Sequence, residues 1–166
     1  MTDSSWPDQT IHDTAVTKIR RKSINVEQWS WTSIAILRPE LESLLHLHEQ
    51  ELPLASAFIS TQSWYAFTTR RIITCHAGTV REIDPRYGIE SNFGNFKGLT
   101  GSDGLGSMPV ETCTVRSLRT GEPVEYEFET GNASMAPMYA CMLWESIERF
   151  HFLRDGLLQV RGNSLP

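Results

Sequence analysis

Several groups of residues in this 166-residue sequence have the types and spacings that chemistry uses. His46, His48 and Glu49 are metal-ligand types almost in a row. On a helix, residues i and i+2 point about 200° apart, and helical zinc sites use i and i+4 instead. Leu41, Leu44, Leu45, His48 and Leu52 recur at helical spacing, so residues 39–52 read as a helix with Pro39 in its first turn. That helix packs His48 inward, turns His46 to solvent and leaves no metal site. Cys75 and His76 are a thiol beside an imidazole, but strand neighbours face opposite sides and cannot form a thiolate pair. Cys75, Cys113 and Cys141 are odd in number and lack CxxC spacing, so buried free thiols are expected. Glu125, Glu127 and Glu129 alternate with Tyr126 and Phe128, which puts three carboxylates about 6.7 Å apart on one strand face. Such a row can receive a basic partner.

The elements that would position these residues centre on 64–83, where aromatic and β-branched runs are separated by Thr68-Thr69 and Ala77-Gly78. This is the pattern of a β-meander. A tight turn at Ala77-Gly78 sets Cys75 opposite Val80 and Ile72 opposite Ile83. Arg70 and Arg71 fall at the bend between the first two runs, where at least one must face outward and serve recognition. A strand is expected over 54–60, and a docking strand over 26–37 that places Trp29 and Trp31 on one face.

Residues 84–108 hold six glycines, at 88, 94, 98, 101, 104 and 106, and no periodicity. They read as a long loop that presents Tyr87, Phe93 and Phe96 to a partner. It is not a phosphate cradle, because no Gly-Lys-Ser/Thr follows and no GxGxxG opens a helix. Residues 110–130 form a hairpin turning at Thr120-Gly121, with Arg116 opposite Glu125, Val115 opposite Tyr126 and Cys113 opposite Phe128. Ala140, Leu143, Trp144, Ile147 and Phe150 then trace a long C-terminal amphipathic helix with Pro137 in its first turn.

Composition bounds the rest. Forty per cent apolar and 21% charged residues suit a globular chain, and no apolar run reaches the roughly 20 residues that cross a bilayer. A chain of this length buries about 68–70% of its unfolded surface and needs no metal or disulfide staple. A net charge of −5 disfavours nucleic acid and favours a protein partner with a basic surface. The expectation is a soluble cytoplasmic protein without a secretory signal or membrane insertion. Residues 1–25, which carry Lys18, Arg20, Arg21 and Lys22, read as a polar and partly disordered leader. One α+β domain spans 26–158, and 159–166 is a frayed tail.

Two resemblances bear on function. The run Trp64-Tyr65-Ala66-Phe67-Thr68-Thr69-Arg70-Arg71-Ile72-Ile73 resembles the bacterial pleckstrin-homology-like (PH-like) domains, over residues 54–153, and Trp144 resembles the tryptophan of that superfamily's last helix. This implies an antiparallel sheet or partly open barrel closed by a helix, a binding scaffold without catalysis or cofactor. Phosphoinositide binding does not carry over, because only Arg70 and Arg71 stand near the first strands. Separately, Arg38, Ser60-Thr61 and Glu125-Tyr126-Glu127 resemble the Arg, Ser-Thr and Glu-x-Glu elements of mono-ADP-ribosyltransferases, which implies an NAD-using alternative with Glu127 activating the acceptor. The preferred expectation is a non-enzymatic module that docks on or neutralises a basic protein, such as an immunity protein of a toxin system.

Overall fold

The computed structural model describes residues 7–101 and 106–146. The chain is α+β with antiparallel sheets, an N-terminal helix and a C-terminal helix. Helix α1 (Asp8–Lys22) leads into β1 (Thr32–Ile34) and a single helical turn, α2 (Pro39–Glu42). Then come β2 (Pro53–Ser60), β3 (Ser63–Thr68), β4 (Ile72–His76) and β5 (Thr79–Ile83), which complete a five-stranded sheet in the order β1-β2-β3-β4-β5. A second sheet has the order β10-β9-β6, from β6 (Ile89–Asn92), β9 (Val110–Ser117) and β10 (Pro123–Glu129). A small ribbon of β7 (Leu99–Thr100) and β8 (Gly106–Ser107) precedes β9, and residues 135–146 form the closing helix, α3.

The meander folds as its residues dictate. Ala77 and Gly78 both take positive φ, 48° and 79°, the turn whose twist matches two paired strands. Cys75 pairs with Val80 and Ile72 with Ile83, the register read from the sequence. All six residues of β3 are buried because the first sheet is covered on both faces at this strand. Tyr65, Phe67 and Ile72 enter the main core, where Tyr65 and Tyr126 rings lie 4.9 Å apart and Phe67 and Tyr126 rings 5.6 Å apart. Trp64, Ala66, Ile73 and Cys75 pack on the opposite face with Leu41.

Four expectations are corrected by the fold. Residues 8–22 are no solvated leader: Ile11, Ala15, Val16 and Ile19 make one buried face of α1, which packs against β1 and β2. The helix read over 39–52 stops after a turn. Gln50 takes a φ of 69°, and Glu51 turns inward to accept the His48 amide at 2.8 Å, so His48 is exposed rather than packed. The docking strand over 26–37 shortens to β1, preceded by a 3₁₀ turn at Val26–Gln28, with Trp29 and Trp31 outside it. The long loop over 84–108 contains β6, β7 and β8 and a 3₁₀ turn at Pro85–Tyr87. The closing helix begins at 135, and Ile147 and Phe150 lie outside the described residues, as does the tail over 159–166.

Candidate functional site

The β9–β10 hairpin keeps the expected faces but slides by two residues. Glu125 pairs with Thr114, Tyr126 with Cys113 and Glu127 with Thr112. The physical reason is the turn. Leu118, Arg119, Thr120 and Gly121 form a four-residue loop closed by Gly121 N–H donating to Ser117 O, with Gly121 at φ 72°. A two-residue slip preserves side-chain alternation, so the glutamates remain on one face.

That face is not simply wet. The antiparallel order brings the start of β1, the start of β3 and the end of β4 to one end of the five-stranded sheet. Strand β10 passes across that end, and each glutamate meets a different strand or its approach. Glu129 accepts the backbone N–H groups of Ser30 at 2.7 Å, Trp31 at 3.0 Å and Thr32 at 3.1 Å, and the Thr32 hydroxyl at 2.9 Å. Glu127 accepts the Ser63 hydroxyl. Glu125 stands 3.7 Å from His76 Nε2 with its side chain 55% exposed. Of the predicted row, two carboxylates fasten one sheet to the other and one faces an open surface.

At that third position lies a groove of about 670 Å³, lined by His76, Thr79, Arg81, Thr114, Arg116, Glu122, Pro123 and Glu125. One side of the groove comes from the β4–β5 hairpin and the other from β9, β10 and the loop that joins them. Arg116 Nη1 donates to Gly121 O at 2.9 Å, whereas Arg81 has no ion-pair partner among the described residues. His76 Nδ1 is buried with no hydrogen-bond partner among the described residues. With a carboxylate near one ring nitrogen and no described hydroxyl or thiol bonded at the other, the described residues do not build a nucleophile-activating triad on this histidine. The groove offers two guanidiniums, two carboxylates and two hydroxyls, a surface for recognition by charge and hydrogen bonds.

The remaining candidates sit elsewhere. Arg70 donates from Nε and Nη2 to Asp8, and Arg71 from Nε and Nη2 to Glu51 and from Nη1 to Glu82, so both arginines are taken up in internal pairs. Phe93 is buried with its ring 5.3 Å from that of Phe128, and Phe96 packs against the core; neither is presented. Tyr87 is exposed, with the Arg119 guanidinium 4.2 Å from its ring centre. Arg38, Ser60 and Glu127 are not gathered in the groove. The Arg38 amide donates to Ser56 Oγ, and Ser60 Oγ accepts the Gln62 amide. Cys75, Cys113 and Cys141 are free and buried, and burial raises each thiol's pKa, that of Cys113 to about 11. Among the described residues no three His, Cys, Asp or Glu side chains cluster as metal ligands, and no helix is long and apolar enough to cross a membrane.

Sequence reasoning missed Asp8, Glu51, Arg81, Arg116 and Glu122. The only available signal was parity: Thr79 and Arg81 share a strand face, as do Thr114 and Arg116. Nothing local brings those two faces together. No family model, no curated protein and no solved structure matches the chain.

Proposed function

We propose that this chain is a non-enzymatic cytoplasmic module on a PH-like scaffold that docks on, or neutralises, a protein with a basic surface, as an immunity protein does to a toxin. Five antiparallel strands, three more in a second sheet and a closing helix support the scaffold. The observation that carries the function is the groove, in which the exposed carboxylates of Glu122 and Glu125 stand beside His76 and two arginines. A net charge of −5 draws a basic partner in, and the mixed charges of the groove then fix register and reject wrong partners. The Glu127 and Glu129 carboxylates, spent on the fold, contribute little to docking, so the acidic contact narrows to Glu122 and Glu125.

Affinity capture from the native cell, wild type beside Glu122→Lys/Glu125→Lys, tests the reading. A stoichiometric basic partner held by wild type and lost from the double variant is expected. Failure to recover any stoichiometric partner, or equal capture by both proteins, counts against it.

A further inference from the structure

The five-stranded sheet has two edges, and the chain treats them differently. At the β1 edge, Glu129 occupies the N–H groups of Ser30, Trp31 and Thr32. At the β5 edge no described residue does the same. The two-residue turn at Ala77-Gly78 makes His76–Thr79, Thr74–Arg81 and Ile72–Ile83 the hydrogen-bonded pairs. The N–H and C=O groups of Val80 and Glu82 therefore point away from β4, and no described strand pairs on that side. All of Thr79, Val80, Arg81 and Glu82 are exposed, Val80 to 58%. An open strand edge is a template for another strand, and proteins ordinarily cover or blunt it.

The side chains say which strand fits. Arg81 stands at the rim of the groove near Arg116 and His76, while Glu82 is already held by Arg71 at 3.1 Å. Antiparallel pairing of β5 with a second copy, centred on Arg81, would set like charges directly opposite each other. A strand with an acidic residue at that place meets the opposite condition. Arg81 would occupy a pair without mutual hydrogen bonds, where side chains approach closest.

We infer that the edge of β5, which no described strand covers, receives an extended segment of the protein partner as a sixth strand, with an acidic residue opposite Arg81 and an apolar residue beside Val80. This rests on the protein-binding reading and names the part of the partner that the edge and groove take. Backbone groups of Val80 and Glu82 supply affinity, and alternate side chains supply specificity. A partner that is basic overall is compatible, because net charge acts at long range and the strand pairing acts on contact.

The test selects random ten-residue peptides displayed on phage against the whole protein and compares Val80→Pro and Arg81→Glu. Proline at 80 removes an outward N–H and leaves the β4–β5 bonds in place. Enriched peptides are expected to alternate apolar and polar residues, carry one acidic position, and bind Val80→Pro at least tenfold more weakly. They should also slow amide exchange at Val80 and Glu82. Arg81→Glu should select a basic residue at the acidic position, which keeps the test valid if the proline variant folds poorly. No enrichment, or equal binding to both variants and wild type, overturns strand addition. A native partner captured equally by wild type and Val80→Pro would overturn it too while leaving the module reading intact. Peptides that require Val80 in a protein that captures no native partner would do the reverse.

Discussion

Glu129 Oε2 lies 3.1 Å from the Thr32 amide nitrogen and 2.9 Å from its hydroxyl, joining positions 97 residues apart. With Oε1 on the Ser30 amide, one carboxylate closes a sheet edge and ties the second sheet to the first. Hydrogen bonds to an ionised acceptor are the stronger class, about 1.5–3 kcal/mol each. Glu129→Ala is therefore expected to destabilise the fold by about 2–3 kcal/mol in urea unfolding, discounting the exposed Ser30 contact. Glu129→Gln, with one acceptor oxygen left, should fall between. An unchanged midpoint for Glu129→Ala would show that the clamp contributes nothing.

Glu51 and Arg71 make the second long-range fastening. The Glu51 side chain is 0% exposed and accepts the Thr68 hydroxyl at 2.6 Å, Arg71 Nε at 2.9 Å and the His48 amide at 2.8 Å. Removing one partner strands the other charge, which costs about 3–5 kcal/mol, whereas removing both costs less than the sum. Arg71→Met should lie in that range, and Glu51→Gln/Arg71→Met should be more stable than additivity predicts. A double-mutant cycle in urea measures the coupling; strict additivity would mean the pair is not a unit.

How much of this was legible depends on distance along the chain. The meander's register followed from Ala77 and Gly78 because a two-residue turn settles pairing locally. The faces of β9 and β10 followed from alternation, but their register did not, because a loop of four residues replaced the shorter turn. Helix α1 was legible in principle, since Ile11, Ala15, Val16 and Ile19 are spaced at i, i+4, i+5 and i+8, but its polar composition masked the stripe. The glutamate row was placed on the right face and given the wrong surroundings. Alternation says which side of a strand a residue occupies and nothing about which sheet end crosses that side. For the same reason Arg70 and Arg71 looked available, when Asp8 and Glu51 come from segments whose positions only the tertiary fold determines.

Acid should act on three carboxylates in particular. Burial of Asp8, Glu51 and Asp84 opposes ionisation, yet hydrogen bonds from Arg70 and Thr69, from Arg71 and Thr68, and from Arg86 outweigh it, so all three pKa values lie below the usual range. The folded state thus holds fewer protons than the unfolded chain as pH falls through about 4. The stabilisation is fully present above the unfolded values and is lost as pH drops through the depressed folded ones. The urea midpoint should stay flat from neutral pH to about 5 and then fall, with a shallower fall in Glu51→Gln. A midpoint that drops equally steeply in that variant would remove Glu51 from the acid response.

Gly98 tests how closely the segment before β7 is threaded against the residues that flank β9 and β10. Its φ is 69°, and an added Cβ would lie 2.5 Å from the Met108 carbonyl oxygen and 2.5 Å from Thr130 Oγ1. The same backbone is bonded there, since the Met108 amide donates to Gly98 O at 2.6 Å and the Gly131 amide to Phe96 O at 2.8 Å. Gly94 has a φ of 52° and nothing within 4 Å of its Cβ position. Alanine at either site incurs the left-handed penalty, about 1–2 kcal/mol, but only at 98 does it also meet fixed atoms, which adds about 1–3 kcal/mol of overpacking. Gly98→Ala should therefore be less stable than Gly94→Ala in parallel urea melts. The gap between the two measures the close approach alone, because the conformational cost is common to both. Equal losses would mean that the contact relaxes freely and that Thr130 and Met108 do not hold the 96–98 backbone in place.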